Sequence, residues 1–320
     1  MIPFPQIMRS TYVLAATLAF VAGAAVAPLR ADPAIPAGSP RAFSSPEEAV
    51  KALVAATNVG DRATVDAIFG PDVKDLLSGD PKQDTIEFAA FAKLVAQFSQ
   101  LVPKADDRFV LNLGDQNWPF PIPLVKKNGT WFFDTAAGKD EIVNRRIGKD
   151  ELIAIGVCRT YLAAQREYAS EDRVGDRVLR FAQKLRSTSG QKDGLYWPAA
   201  PDEDASPFGP FIAEVHAEGY GGKTAEGQRQ PFHGYRFRIL TAQGASAPGG
   251  AYDYIINGNM IAGFALVAYP AHWGESGVMT FVVNQWGTVY QSNLGPQSAD
   301  LAAAMTDFDP DQDWAAVKSP

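Results

Sequence analysis

The chain has 320 residues, of which 46% are hydrophobic and 11% aromatic, a globular composition that excludes an intrinsically disordered chain. Its net charge is −7, and residues 1–31 hold two of the 29 basic residues and no acidic one, leaving 27 basic against 36 acidic side chains in the remainder. That balance argues against nucleic acid and anionic membrane surfaces as general partners.

In chain order, residues 1–31 read as a signal peptide. Arg9 supplies a positive start, Tyr12–Ala27 is an apolar run, and Ala31 offers a small residue for cleavage before Asp32. The run falls short of the roughly 20 residues a membrane span needs. The expectation is a cleaved signal, a periplasmic or secreted protein, and no permanent transmembrane anchor. Residues 32–43 form a linker rich in Pro, Ala and Gly. The single cysteine, Cys158, forbids an intrachain disulfide, and its setting LIAIGVCRTYL predicts a buried helix face.

Residues 44–147 read as one domain. Ser45-Pro46-Glu47-Glu48 is a capping box with Pro at the first helical position, and Gly60 stops that helix. Asp61 caps a second helix ending at Phe69. A third runs from about Thr85 to Leu101, with Phe88, Phe91, Leu94, Val95 and Phe98 along one side. The period then changes to two through Phe109, Leu111 and Leu113. Trp118–Val125 is extended, and Pro119, Pro121 and Pro123 assign it to a sheet edge. Lys127-Asn128-Gly129 marks a hairpin turn into a strand over Thr130–Asp134.

The charged run 139–149 is read as a bridge to a second domain, residues 148–320. A helix is predicted over Asp150–Ser170 and a more polar one over Arg173–Leu185. A long irregular insertion then covers residues 187–230, including the Gly219–Gly222 cluster. Strands follow at Tyr235–Leu240, Ala262–Ala268, Val278–Val283 and Thr288–Tyr290, with a tight turn at Asn284–Gly287. Ser298 caps a short helix, and DFDPDQDW reads as a solvated acidic tail. The fold class is α+β: N-terminal helices with a cone-like antiparallel sheet, then a long helix packed on a second antiparallel sheet.

Three resemblances follow from these segments. FSSPEEAVKALVAATNVGDRATVDAIFGPDV with NGTWFFD resembles the cone-shaped fold of nuclear transport factor 2-like and ketosteroid isomerase-like proteins, which hosts both enzymes and binding modules. SPEEAVKAL, GLYWP, PFHGYRFRIL, PGGAYDYIINGNM, GVMTFVVNQWGTVYQSNLGP and FDPDQDW, with further segments between them, are similar to a family of exported bacterial proteins known as domain of unknown function 2950. That resemblance implies an envelope location and no established activity. HGYRFRIL, GFALVAYPA and SGVMTFVVNQWGTVY resemble the sheet of bacterial type IV pilins, although the chain lacks their prepilin cleavage motif and N-terminal filament helix.

No nucleophile elbow, P-loop or metal-ligand spacing occurs, so neither a metal nor a cofactor is expected. The alternating Asp307, Asp309, Asp311 and Asp313 lack the Gly and Glu of a calcium loop. His233 is the candidate acid or base, with Asp253 as its partner if the fold joins them. Tyr196, Trp197, Phe232, Tyr235, Tyr252 and Tyr254 lie in or beside irregular sequence and are candidates to line a ligand groove, or else they pin the long loop to the sheet. The expected function is a non-catalytic binding or scaffolding module for a cell-envelope protein or glycan. An envelope hydrolase or isomerase using His233 with Asp253, and a pilus or secretion accessory, stay open as alternatives.

Overall fold

Ser45 caps α1 (Pro46–Asn58) as its sequence demands: Ser45 Oγ accepts the Glu48 N–H at 3.2 Å, and the Glu48 carboxylate reaches back to accept from Ser44 N–H at 2.9 Å. The computed structural model describes residues 39–199, 203–217, 220 and 230–318. The signal segment, linker residues 32–38 and the Gly219–Gly222 cluster apart from Tyr220 lie outside the described residues. Asp61 caps α2 (Arg62–Phe69), accepting from Thr64 N–H at 3.0 Å, and Gly70 closes it at φ 77° before a 3-10 turn over Pro71–Leu76. Helix α3 spans Pro81–Gln97. It starts four residues ahead of the expected Thr85 because Asp80 caps it and Pro81 presets the first turn.

Strands β1 (Ser99–Ala105) and β2 (Arg108–Leu113) pair antiparallel. The other side of β2 is shared by β3 (Trp118–Pro119) and β4 (Leu124–Lys127), and β5 (Thr130–Phe133) pairs with β4. The expected edge strand over Trp118–Val125 is therefore two pieces. Pro119, Pro121 and Pro123 lack N–H donors, so pairing lapses between them and resumes at Leu124, which lies inside the sheet rather than at its edge. Asn128 and Gly129, at φ 52° and 85°, make the tight β4–β5 turn. Phe43 bridges to Trp131 with both backbone bonds made, at 2.8 and 2.9 Å. Leu53, Ile68, Phe69, Leu111, Leu113 and Phe133 form the centre of this core.

The charged run 139–149 is helix, not a bridge. Helix α4 runs unbroken over Thr135–Tyr168, 34 residues capped by Asp134, and so about 51 Å long. Sequence periodicity places the start at Asp150 because inward positions of the earlier turns include Gly138 and Arg146, which do not read as an apolar row. After α4 the expected polar helix over Arg173–Leu185 is absent: the segment is irregular and is held by side chains. Buried Gln165 accepts the Ala182 N–H at 2.8 Å and donates to Ala182 O at 2.8 Å and to Tyr161 Oη at 2.9 Å. Tyr161 Oη in turn donates to Ala265 O at 3.1 Å. The insertion is not wholly irregular, since α5 covers Gly209–Ala217.

The next strands are β6 (Tyr235–Leu240), which edges the second sheet, β7 (Ala242–Gln243) and β8 (Tyr252–Asp253), which form a small sheet with a later strand, and the hairpin of β9 (Ile255–Ile256) and β10 (Asn259–Met260). Then come β11 (Ala265–Pro270), β12 (Thr280–Asn284) and β13 (Val289–Ser292). Helix α6 (Ser298–Ala304) and strands β14 (Asp307–Phe308) and β15 (Ala315–Ala316) complete the chain. Five strands form an antiparallel sheet in the order β15-β13-β12-β11-β6. β11 touches both α4 and α6, which explains why its sequence is continuously apolar rather than alternating. The turn at Asn284–Gly287 forms as expected, with Gly287 at φ 91° donating to Asn284 O at 2.9 Å. The C-terminal stretch is not a solvated tail: Phe308 is buried, β14 pairs parallel with β7, and Asp309 accepts from Ser246 N–H at 2.7 Å. The chain is thus an α+β protein, with one helix carrying two cores.

Gly138 is where α4 comes closest to the first core. A Cβ there would stand 2.7 Å from Ile122 Cα, whereas one on Gly156 of the same helix would meet nothing within 4 Å. Alanine gains about 1 kcal/mol of helix propensity at either site, but overpacking costs about 1–3 kcal/mol at the first. Urea denaturation should find Gly138→Ala less stable and Gly156→Ala more stable than the parent. A Gly138→Ala protein at or above the parent midpoint would contradict the close approach.

Candidate functional site

Helix α3 is unusual in what it leaves uncovered. Only Gln83 and Val95 along it are buried, although Phe88, Phe91 and Leu94 recur at helical spacing. These three face an apolar cavity of about 330 Å³ rather than solid core. Val65 and Phe69 of α2 form a second wall, and Ile142 of α4 contributes from a third side. Trp118, Phe120 and Ile122 come from the proline-interrupted segment between β3 and β4, so the same missing N–H donors that split the strand also direct side chains into the cavity. Phe120 lies 5.1 Å from Phe91 and 5.7 Å from Phe69 between ring centroids, which fixes the aromatic floor.

Most charged residues of the cavity wall have partners, inside or beside it. Arg62 pairs with Asp66 at 3.3 Å and lies over the Phe88 ring at 4.8 Å. Arg145 pairs with Glu141 at 2.6 Å, donates to Pro119 O at 3.2 Å and lies over Trp118 at 5.0 Å. Asp84 accepts the Ser78 N–H at 2.8 Å, and Glu87 accepts from Gln83 Nε2 at 3.1 Å.

Beside the cavity lies a buried polar group. Gln83 Nε2 donates to Asp150 Oδ2 at 2.8 Å, while Asp150 Oδ1 and Gln83 Oε1 have no partner. Burial pushes the Asp150 carboxyl up to about 7; the Gln83 bond opposes that, and the Glu87 charge adds to it. Arg146, one helical turn earlier, is 4% exposed and belongs to the cavity wall. Its Nε donates to Glu275 O at 3.2 Å and its Nη1 to Leu76 O, leaving Nη2 without a partner. Glu151 follows, accepting the Val278 and Met279 N–H groups at 3.0 Å each. Residues 146–151 of α4 thus join the cavity to the loop and strand that open β12. Arg146 also borders a polar cleft of about 740 Å³ that includes Lys74, Lys139 and Glu275.

The residues singled out in the sequence lie elsewhere. His233 precedes β6, buried at φ 43° with its ring 4.5 Å from that of Phe232. Asp253 is exposed in β8, beyond the other end of β6, where it pairs with Ala242. About 20 Å of strand therefore separates the pair. The aromatic candidates pack into the second core and its loops. Trp197, Tyr235 and Tyr254 are buried, and Tyr235 Oη donates to Met279 O at 2.8 Å. Tyr254 Oη donates to Gln243 Oε1 at 3.1 Å, and Tyr252 Oη accepts from Gln285 at 3.0 Å. Tyr196 stacks with Arg186 at 4.9 Å, and Phe232 meets Phe211 edge-on at 5.3 Å. None of the six borders the cavity. Cys158 is fully buried, and burial pushes its thiol up to about 12, so it packs as a core side chain.

The cavity residues missed in the sequence had one available signal. Gly138, Ile142, Arg146, Asp150, Ala154 and Cys158 recur every four residues through the charged run, a row that winds slowly around the helix from the first core to the second. Counting Arg146 and Asp150 as inward-facing would have exposed it.

A family model described as a protein of unknown function (DUF2950) matches residues 40–317. No curated protein and no solved structure matches the chain. Among the described residues no helix is long and apolar enough to cross a membrane.

The raised Asp150 value has a defined pH signature. Its folded value of about 7 lies above the unfolded value near 3.9, so the folded state holds a proton that the unfolded state has released. The stability this contributes is complete below about pH 4 and is lost as pH rises toward 7. Asp150→Asn should remove that slope. Urea midpoints at pH 4.5 and 8 should diverge between parent and variant, by roughly 2–4 kcal/mol in favour of the variant at pH 8. Parallel pH profiles would show that Asp150 is ionised throughout.

Proposed function

This chain belongs to the DUF2950 family, whose function is unknown, and we propose that it is a non-catalytic binding module of the cell envelope that takes a small apolar molecule into the cavity beside α3. The observation that carries this reading is the half-buried row Phe88, Phe91 and Leu94, presented to an apolar space instead of a packed core. Apolar side chains with room in front of them gain free energy when a ligand displaces water from that space. The composition of the wall favours an apolar body over a glycan, which would need more free donors and acceptors than the paired charges of the rim supply. Non-catalytic binding also accords with the separation of His233 from Asp253 along β6 and with the buried thiol of Cys158. The apolar run Tyr12–Ala27 supports export, so the occupant would be met in the periplasm or outside the cell, free or delivered by an envelope protein.

A cavity of about 330 Å³ holds about ten water-sized groups at ~30 Å³ each. A single-chain alcohol such as 1-decanol therefore matches its size. Calorimetric titration should give a Kd of about 10–100 μM, as roughly 0.5–0.6 kcal/mol per non-hydrogen atom implies. Val73→Phe, which places a ring into the wall, should weaken binding at least tenfold while leaving the fold intact. Absence of decanol binding to the parent, or equal binding to Val73→Phe, would count against the cavity as the site.

A further inference from the structure

We infer that the occupant of the cavity ends in an anionic head, of which a carboxylate is the simplest form, and that Arg146 holds it. The inference rests on the binding reading above and adds the chemistry of the ligand. The charge inventory of the wall carries it. Two of its four cations are matched by carboxylates: Arg62 by Asp66 at 3.3 Å and Arg145 by Glu141 at 2.6 Å. The wall carboxylates are likewise engaged, Asp66 by Arg62, Asp84 by the Ser78 N–H and Glu87 by Gln83. Arg146 and Lys149, one helical turn apart on α4, remain, and no carboxylate of the described residues lies within 4 Å of the Arg146 guanidinium.

Lys149 is exposed and solvated, so its charge costs little. Arg146 is different. It is 4% exposed, its two occupied nitrogens bond only to neutral carbonyls, and Nη2 has no partner. A guanidinium taken out of water without an anion is costly, and an anion arriving beside it recovers part of that cost. Its nearest acidic neighbour along the helix, Asp150, is pushed up to about 7 by burial and so is mostly protonated, and supplies little negative charge, at pH 6 and below. Arg146 also borders both the apolar cavity and the polar cleft, whose charged lining is Lys74, Asp75, Lys139, Asp140 and Glu275, with Lys139 paired to Asp75 at 2.8 Å. An apolar chain in the cavity would thus place its head at the boundary, where water is available for its remaining oxygens.

The test compares decanoate with 1-decanol on the whole chain by calorimetric titration at pH 6, where Asp150 is mostly protonated and the decanoate carboxyl is mostly ionised. The parent should bind decanoate at least tenfold more tightly than decanol. Arg146→Gln should bring decanoate to within about threefold of decanol, each compared in the same variant, and Arg146→Lys should keep part of the preference. Equal affinities in the parent overturn the inference while leaving the cavity reading standing. So does a preference that survives undiminished in Arg146→Gln. Failure of both compounds removes the cavity reading and the inference together. Arg146 also tethers Leu76 and Glu275, so a measurement on the parent alone is needed as well. The carboxyl carbon of bound ¹³C-labelled decanoate should titrate below the free acid if a guanidinium lies beside it, and an unshifted or raised titration overturns the assignment.

Discussion

One helix has to satisfy two cores. Helix α4 packs Gly138 and Ile142 against the first sheet and its helices, and Ala154, Cys158, Tyr161 and Gln165 against the second sheet. Because its backbone hydrogen bonds are internal and unbroken, the relative placement of the two cores is set by 34 residues of regular geometry rather than by a linker. The consequences spread in both directions. At the first core the axis approaches Ile122 so closely that residue 138 carries no side chain. At the second, Tyr161 and Gln165 bond to the backbone of β11 and of the irregular segment at Ala182, and so order a stretch with little secondary structure of its own.

The middle of that helix is where the two demands meet, and it is polar. A helix passing from one apolar core to another has a turn that faces neither. Arg146, Asp150 and Glu151 occupy it, and their bonds reach three separate segments: Leu76 of the 3-10 turn, Gln83 of α3, and Glu275, Val278 and Met279 of the β11–β12 connection. Apolar residues there would bury more surface but would leave those backbone groups unpaired. The polar turn costs desolvation and returns register, since each bond is directional. A buried carboxyl held toward its protonated form and a buried guanidinium without an anion are the residue of that compromise.

Much of this was legible in the sequence wherever a rule is local. The caps at Ser45 and Asp61 and the turns at Asn128-Gly129 and Gly287 rest on contacts within a few residues, and strand Tyr235–Leu240 is marked by its own composition although its partner β11 is distant in sequence. Elements decided by tertiary packing were harder. The first turns of α4 look like a charged bridge because their inward positions are Gly, Arg and Asp, residues that hydrophobic periodicity scores as outside. Residues 171–199 look helical in part because nothing local reveals that Gln165 will bind their backbone. The C-terminal aspartates look like a solvated tail, although Phe308 between them anchors the stretch. The candidate site was hidden for the same reason. Its aromatic wall reads as core from spacing alone, and the tyrosines that looked like a groove became core instead.

A cavity is not a neutral feature of a fold. Voids left by trimming buried side chains cost about 24 cal/mol per Å³, so a dry void of 330 Å³ would cost about 8 kcal/mol, comparable to the whole net stability of a domain. Such a space persists only if it is open to water or filled. The rim of this one carries charged pairs that keep it wet at the mouth, while Phe88, Phe91 and Leu94 make water a poor occupant deeper in. Collapse is resisted by the surroundings rather than by the cavity itself. Gly138 already presses α4 to its limit against Ile122, and Pro121, with Pro119 and Pro123 on either side, stiffens the segment that carries Ile122. The scaffold therefore holds open a space that its own side chains do not fill, and a ligand with an apolar body, as proposed above, would remove that mismatch.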